Sequence, residues 1–110
     1  MTDCIFCKII NNEIPSDKVY EDEQVLVFKD IAPKAPVHLL MIPKKHIHSL
    51  AEVTAEDSEL MGYMMTKVPE VAKDAGLEGF RTIINTGKDG GQIVFHIHIH
   101  ILGGGGPLPF

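Results

Sequence analysis

From Val94 to Leu102 the chain alternates with period two: His96, His98 and His100 are interleaved with Ile97, Ile99 and Ile101. Only an extended strand puts successive side chains on opposite faces, so the run predicts a strand over 94–102 with three imidazoles on one face and three isoleucines on the other. Alternate residues of a strand lie roughly 6.6 Å apart. Two unit charges at that distance and an effective dielectric near 20 repel by about 2.5 kcal/mol. Starting from an ordinary pKa near 6.5, such a row does not hold three protons at neutral pH, so at least one imidazole stays neutral and nucleophilic. The row offers a nucleophile, a proton donor and an orienting partner together. A His-x-His strand is also a geometry used for zinc, and the spacing alone leaves both chemistries open.

The remaining elements follow from local pattern. Apolar residues at 60, 61, 64, 65, 68, 71, 72 and 75 form one stripe at the helical period, opened by a capping-box pattern at Thr54 and Asp57 and stopped by Gly76. Pro69 lies inside the stripe and is expected to kink or interrupt the helix. Ile5, Phe6, Ile9 and Ile10 predict a short first helix that ends before Pro15. Val19-Tyr20 and Val25 to Phe28 read as a hairpin, and His38 to Ile42 as a buried strand stopped by Pro43. Phe80 to Asn85 predicts a further strand, followed by the glycine-rich loop Thr86 to Gln92. The order α, βββ, α, ββ indicates an α+β fold with an antiparallel sheet. At 110 residues and 12.1 kDa the chain fits one domain, residues 1–104. Residues 105–110 follow a run of glycines and are expected to form a flexible C-terminal tail.

Fifteen acidic against ten basic residues give a formal charge of −5, the wrong sign for a protein that clamps a long nucleic acid. A single phosphate ester stays compatible with that charge. No apolar run is long enough to span a membrane, and Met1 to Cys4 lacks the basic start of a signal peptide, so a cytoplasmic location is expected. In a reducing compartment Cys4 and Cys7 read as a metal or redox pair, or as two small buried thiols. Two ligands do not complete a tetrahedral zinc site, so a metal reading needs two more groups. The Gly90-Gly91-Gln92-Ile93 stretch can bring backbone N–H groups close to a phosphate, or simply punctuate a hairpin. Asp30 reads from its position as a loop-capping acid before Pro33.

The run His96 to Leu102 resembles the signature of the histidine triad family. The likeness extends to Ile5-Phe6 with Lys8-Ile9-Ile10, to Phe28 with Asp30-Ile31, to Ala35-Pro36, to Ile42 through His46, and to Asn85 through Gln92. It covers the chain to Gly104 and is greatest with the nucleoside phosphoramidase branch. That resemblance implies a five-stranded antiparallel sheet with one long and one short helix, pairing as a homodimer. It further implies purine mononucleotide substrates and cleavage of adenosine 5′-phosphoramidates through a nucleotidyl-histidine. By the same resemblance His98 is the nucleophile, His100 contacts a phosphate oxygen or the leaving atom, and His96 and His38 orient the nucleophile. Asn85, Gly91, Gln92 and Ile93 surround the phosphate, Ile93 standing where the branch commonly has serine. Asp30 binds the ribose, and Phe6, Ile9, Phe28 and Ile31 wall the base. Cys4, Cys7, His46 and His96 match the family's zinc-binding members, which implies a structural zinc and no metal requirement in catalysis. Eukaryotic members carry a C-terminal tryptophan that contacts the leaving group. This chain has none, and Phe110 on its glycine linker is expected to contribute little. Competing readings are a non-catalytic metal-binding protein and a nucleotide-sensing regulator.

Overall fold

In this computed structural model, residues 3–108 are described. Helix α1 spans Ile5–Ile10 and is followed by strands β1 (Lys18–Glu21), β2 (Val25–Lys29) and β3 (Val37–Pro43). Helix α2 (Ser58–Asp74) then leads to β4 (Arg81–Ile83) and β5 (Ile99–Gly103). The strands form one sheet in the order β1-β2-β3-β5-β4, with every neighbouring pair antiparallel. The α+β expectation and the element order both hold.

Strand β2 shows why both faces of the sheet are covered. Val25, Val27, Leu39, Met41, Ile99 and Ile101 pack against Met64, Val68, Val71 and Ala72 of α2. Leu26, Phe28, Leu40 and Ile42 point the other way, onto Cys4, Phe6 and Ile9 around α1. Continuous apolar runs such as Val25 to Phe28 are what a strand buried on both faces requires. Seventeen residues of α2 close one face, but α1 has only six. It covers the β2–β3 side and leaves the β5–β4 side open.

The α2 start matches its sequence signal. Thr54 N–H donates to Asp57 Oδ2 at 3.0 Å, and the capping box sits on a 3₁₀ turn, Ala55–Asp57, just before the α-helix. Pro69 does not interrupt the helix, which runs to Asp74. The carbonyl it deprives of a partner belongs to Met65, four residues back on an exposed face where water can satisfy it. The helix is capped at Ala75, and the next residue, Gly76, has a φ of +81° that suits a residue without a side chain.

Two strands are shorter than their sequence patterns. The expected strand over 80–85 is regular only at 81–83, and the expected strand over 94–102 begins at Ile99. Before Ile99 the chain bends away from the ladder, because Ile97 N–H donates to Ile47 O at 2.7 Å. The 46–48 segment thus takes the place of a neighbouring strand.

Arg81 Nη2 donates to the Leu108 carbonyl at 3.0 Å, so residue 108 lies beside β4. Phe110 lies outside the described residues. Among the described residues no helix is long and apolar enough to cross a membrane.

Candidate functional site

The open half of the sheet forms the floor of a cavity of about 780 Å³. Phe6, Ile9, Phe28 and Ile31 stand on its α1 side, and Asp30, His38, His98 and His100 line the middle. Asn85, Gly91 and Ile93 approach from the glycine-rich loop. Most residues singled out in the sequence therefore converge on one space. The exceptions are Gln92, which turns inward, and His96 and His46, which join a separate cluster with Cys4 and Cys7.

Each imidazole in the cavity has its tautomer set by a neighbour. His98 Nδ1 lies 2.8 Å from the His96 carbonyl oxygen, which can only accept, so Nδ1 carries the proton. In the neutral ring the lone pair is then on Nε2. Lys34 N–H donates to His38 Nδ1 at 3.0 Å, which puts the His38 proton on Nε2. That proton is donated to His100 Nδ1 at 2.9 Å, with Asp30 Oδ2 3.4 Å from the same nitrogen. His100 must in turn carry its proton on Nε2. That atom is buried and has no hydrogen-bond partner among the described residues, although a buried donor costs roughly 1–3 kcal/mol when left unmade. The rings of His98 and His100 are 4.9 Å apart. One nucleophilic nitrogen and one unused donor therefore sit side by side.

The row stays neutral mainly through burial, not through the mutual repulsion the spacing suggested. Burial lowers the pKa of His98 and His38 and, with smaller contributions from His98 and His38, takes His100 to about 4. His38 touches His100 rather than His98. His96 orients His98 through its backbone oxygen, not its ring.

The His96 ring is used elsewhere. Its Nε2–H donates to the Pro43 carbonyl at 2.7 Å, which turns the Nδ1 lone pair toward Cys4 Sγ at 3.3 Å, Cys7 Sγ at 3.6 Å and His46 Nδ1 at 3.2 Å. Cys7 Sγ lies 3.4 Å from His46 Nδ1. With zinc bonds of about 2.0–2.1 Å to nitrogen and 2.3 Å to sulfur, a tetrahedron has N–S edges of about 3.5 Å and N–N edges of about 3.3 Å. Four of the six donor–donor distances thus already match such a site, the other two lie within 4.8 Å, and the Cys2His2 set suits zinc. Burial, helped by Cys4, pushes the Cys7 thiol up to about 11, so a cation entering here displaces protons. Asp30, His38 and His100 also cluster closely enough to suggest a cation. Their tautomers oppose it: the His38 nitrogen that faces the cluster bears the proton, because Lys34 occupies its lone pair on the other side.

Gln92, expected among the residues around the phosphate, turns its side chain inward. It is 4% exposed; Oε1 accepts from Gly87 N–H at 2.8 Å, and Nε2 donates to His48 O at 2.9 Å and Val94 O at 3.0 Å. All its polar capacity goes into clamping the loop, whose Gly87 and Gly91 both need positive φ. Asp30 caps its loop as its position suggested: Oδ1 accepts from Ala32 N–H at 2.7 Å, while Oδ2 faces His38.

Sequence reasoning missed the Pro43 carbonyl and the Lys34 amide, backbone groups that no side-chain pattern displays. It also missed Arg81, Ile83, Leu102 and Leu108 on the cavity's far side. The signal for two of these was present. Residues 81, 83 and 85 share one strand parity, and Asn85 was already singled out.

A family model described as "Scavenger mRNA decapping enzyme C-term binding" matches residues 3–108. Protein HitA of Neisseria gonorrhoeae is 61% identical over 104 residues, covering 94% of this chain and 97% of its own. The solved structure of a HIT family hydrolase from Clostridium thermocellum is similar at a TM-score of 0.95 and 44% identity, covering 100% of this chain and 97% of that one. A histidine triad nucleotide-binding protein from Candida albicans is similar at a TM-score of 0.83 and 32% identity, covering 98% and 85%.

Proposed function

Because the chain belongs to the histidine triad family, we propose that it is a purine nucleotide-binding hydrolase that cleaves the P–N bond of nucleoside 5′-phosphoramidates. One observation carries this reading: His98 presents an Nε2 lone pair beside the unpartnered Nε2–H of His100, at the floor of a nucleotide-sized cavity. The His98 Nε2 lone pair attacks phosphorus, the P–N bond breaks, and the amine leaves with that electron pair and a proton from solvent. Positive charge developing on His98 is met by the His96 carbonyl at Nδ1–H. His100 Nε2–H and the loop amides of Gly91 and Ile93 donate to the phosphate oxygens, which stabilises charge with donors already in place. Water then attacks phosphorus, the P–Nε2 bond returns its pair to His98, and the nucleoside monophosphate leaves. One difficult displacement becomes two easier ones.

Asp30 Oδ2 accepts from the ribose hydroxyls, and Phe6, Ile9, Phe28 and Ile31 hold the base. Cys4, Cys7, His46 and His96 would hold a structural zinc, which pins α1 to the chain ahead of β5; histidine catalysis does not use it. The protein acts as a homodimer in the cytoplasm. A transition-metal protein without turnover is the competing reading, and it draws support from the readiness of the Cys/His cluster. Single-turnover mixing with an AMP phosphoramidate, followed by intact mass, separates the two. A transient adduct of one AMP is expected on wild-type protein and absent from His98→Gly. Binding without adduct or released amine would overturn the hydrolase reading.

A further inference from the structure

The sheet register divides the cavity into two ends. Phe28, Leu40, His100 and Ile83 lie on one line across β2, β3, β5 and β4. Phe6 packs edge-on against Phe28 at 5.4 Å and against His98 at 5.2 Å, so the aromatic wall is at the β2 end. Ile83, Leu102 and Leu108 stand at the β4 end. With the base at the aromatic end, whatever else is bonded to phosphorus falls toward β4.

Ile93 is 89% exposed and lines this cavity. Its position is enforced from both sides. Gln92 turns inward with every polar group of its side chain bonded, and Val94 packs onto the α1 core. Ile93 is thereby held outward at the rim. Its side chain begins one bond from the amide assigned to the phosphate. Exposed apolar surface of this kind is stabilised when a ligand covers it.

We propose that Ile93 is a specificity-determining residue, an apolar lip that contacts the group leaving phosphorus and favours leaving amines with an apolar body over charged ones. This rests on the nucleotide-hydrolase reading above and extends it to substrate class. Three conjugates test it: AMP joined through a P–N bond to hexylamine, to the ε-nitrogen of lysine, and to unsubstituted ammonia. Binding is read by calorimetry in His98→Gly protein, which keeps each conjugate intact. The hexyl conjugate binds about tenfold more tightly than the lysine conjugate. Adding Ile93→Ser cuts that ratio about tenfold, or about 1.4 kcal/mol, while Ile93→Val retains most of it. Melting curves of both variants check that the loop stays folded. A hexyl-to-lysine ratio that Ile93→Ser leaves within twofold overturns the proposal, as does equal binding of all three conjugates. Failure to bind any conjugate overturns this proposal together with the nucleotide reading. Wild-type protein that binds with the stated ratio but does not turn over overturns only the hydrolase reading.

Discussion

The two histidine clusters divide one short run of chain between them, His96 going to one and His98 and His100 to the other, yet they are prepared for opposite charges. Around Cys4, Cys7, His46 and His96 the lone pairs converge, because the Pro43 carbonyl holds the His96 proton on the outer nitrogen. Around His38 and His100 the rings are linked head to tail from the Lys34 amide, and the chain of donors ends on an N–H that has no partner among the described residues. A cluster of lone pairs suits a cation; an N–H beside a single lone pair suits a phosphate. The ring does not decide between them. The backbone group on its far side does.

The largest effect that would break this contrast is at the nucleophile. His98→Gly is expected to lower turnover of an AMP phosphoramidate by several orders of magnitude, measured as amine release. Because His98 is buried, the variant's melting temperature should also fall by a few degrees. Near wild-type hydrolysis would show that the lone pair of the second cluster is not used.

Metal removal probes the first cluster. Purified protein is expected to carry about one equivalent of zinc. Chelation should lower the melting temperature by roughly ten degrees or more, the scale of a ligand held well above its dissociation constant. Protein still folded at the assay temperature should retain its turnover. Immediate loss of activity with unchanged melting would place the cation in the chemistry and dissolve the contrast.

Acid titration sharpens it further. Burial holds His100 at about 4 in the folded chain against an ordinary value of 6.5. The unfolded chain therefore binds more protons between those pH values. The native state's advantage is complete above pH 6.5 and is lost as pH falls toward 4. Compared with His100→Gln across this window, the wild type should lose up to about 3 kcal/mol more stability, at about 1.4 kcal/mol per pKa unit. Parallel stability curves would mean that His100 is not kept neutral by burial.

The smallest effect concerns the tail. Deleting residues 105–110 removes the hydrogen bond from Arg81 to the Leu108 carbonyl. It should change kcat/KM less than tenfold across tryptamine, lysine and unsubstituted phosphoramidates. A larger change for one amine alone would extend the second cluster's site into the tail.

What could be read from the sequence depends on the range of the forces involved. The alternation at 96–101 correctly assigned the faces: Ile99 and Ile101 join the α2 core, while His98 and His100 meet across the open side. It overstated the length of the strand, because Ile97 N–H donates to the carbonyl of Ile47, a partner fifty residues away that no local pattern encodes. The Thr54 and Asp57 signal was local and held. The interruption expected at Pro69 does not occur, because local rules weigh the lost hydrogen bond but not the solvent that replaces it. The Cys4-x-x-Cys7 spacing could be read, but the placing of His46 and His96 beside it came from resemblance, since bringing them together takes a bend in the chain and the Pro43 carbonyl.

The bond from His98 to the oxygen of His96 bears on how such a protein can vary through descent. Every amino acid supplies a carbonyl, so no replacement at position 96 deletes the acceptor that keeps the proton on the far side of His98. The ring at 96 is inherited on separate terms, since its loss would dismantle the cluster with Cys4, Cys7 and His46. A lineage can thus lose the Cys/His cluster and still transmit the acceptor that sets the tautomer of His98.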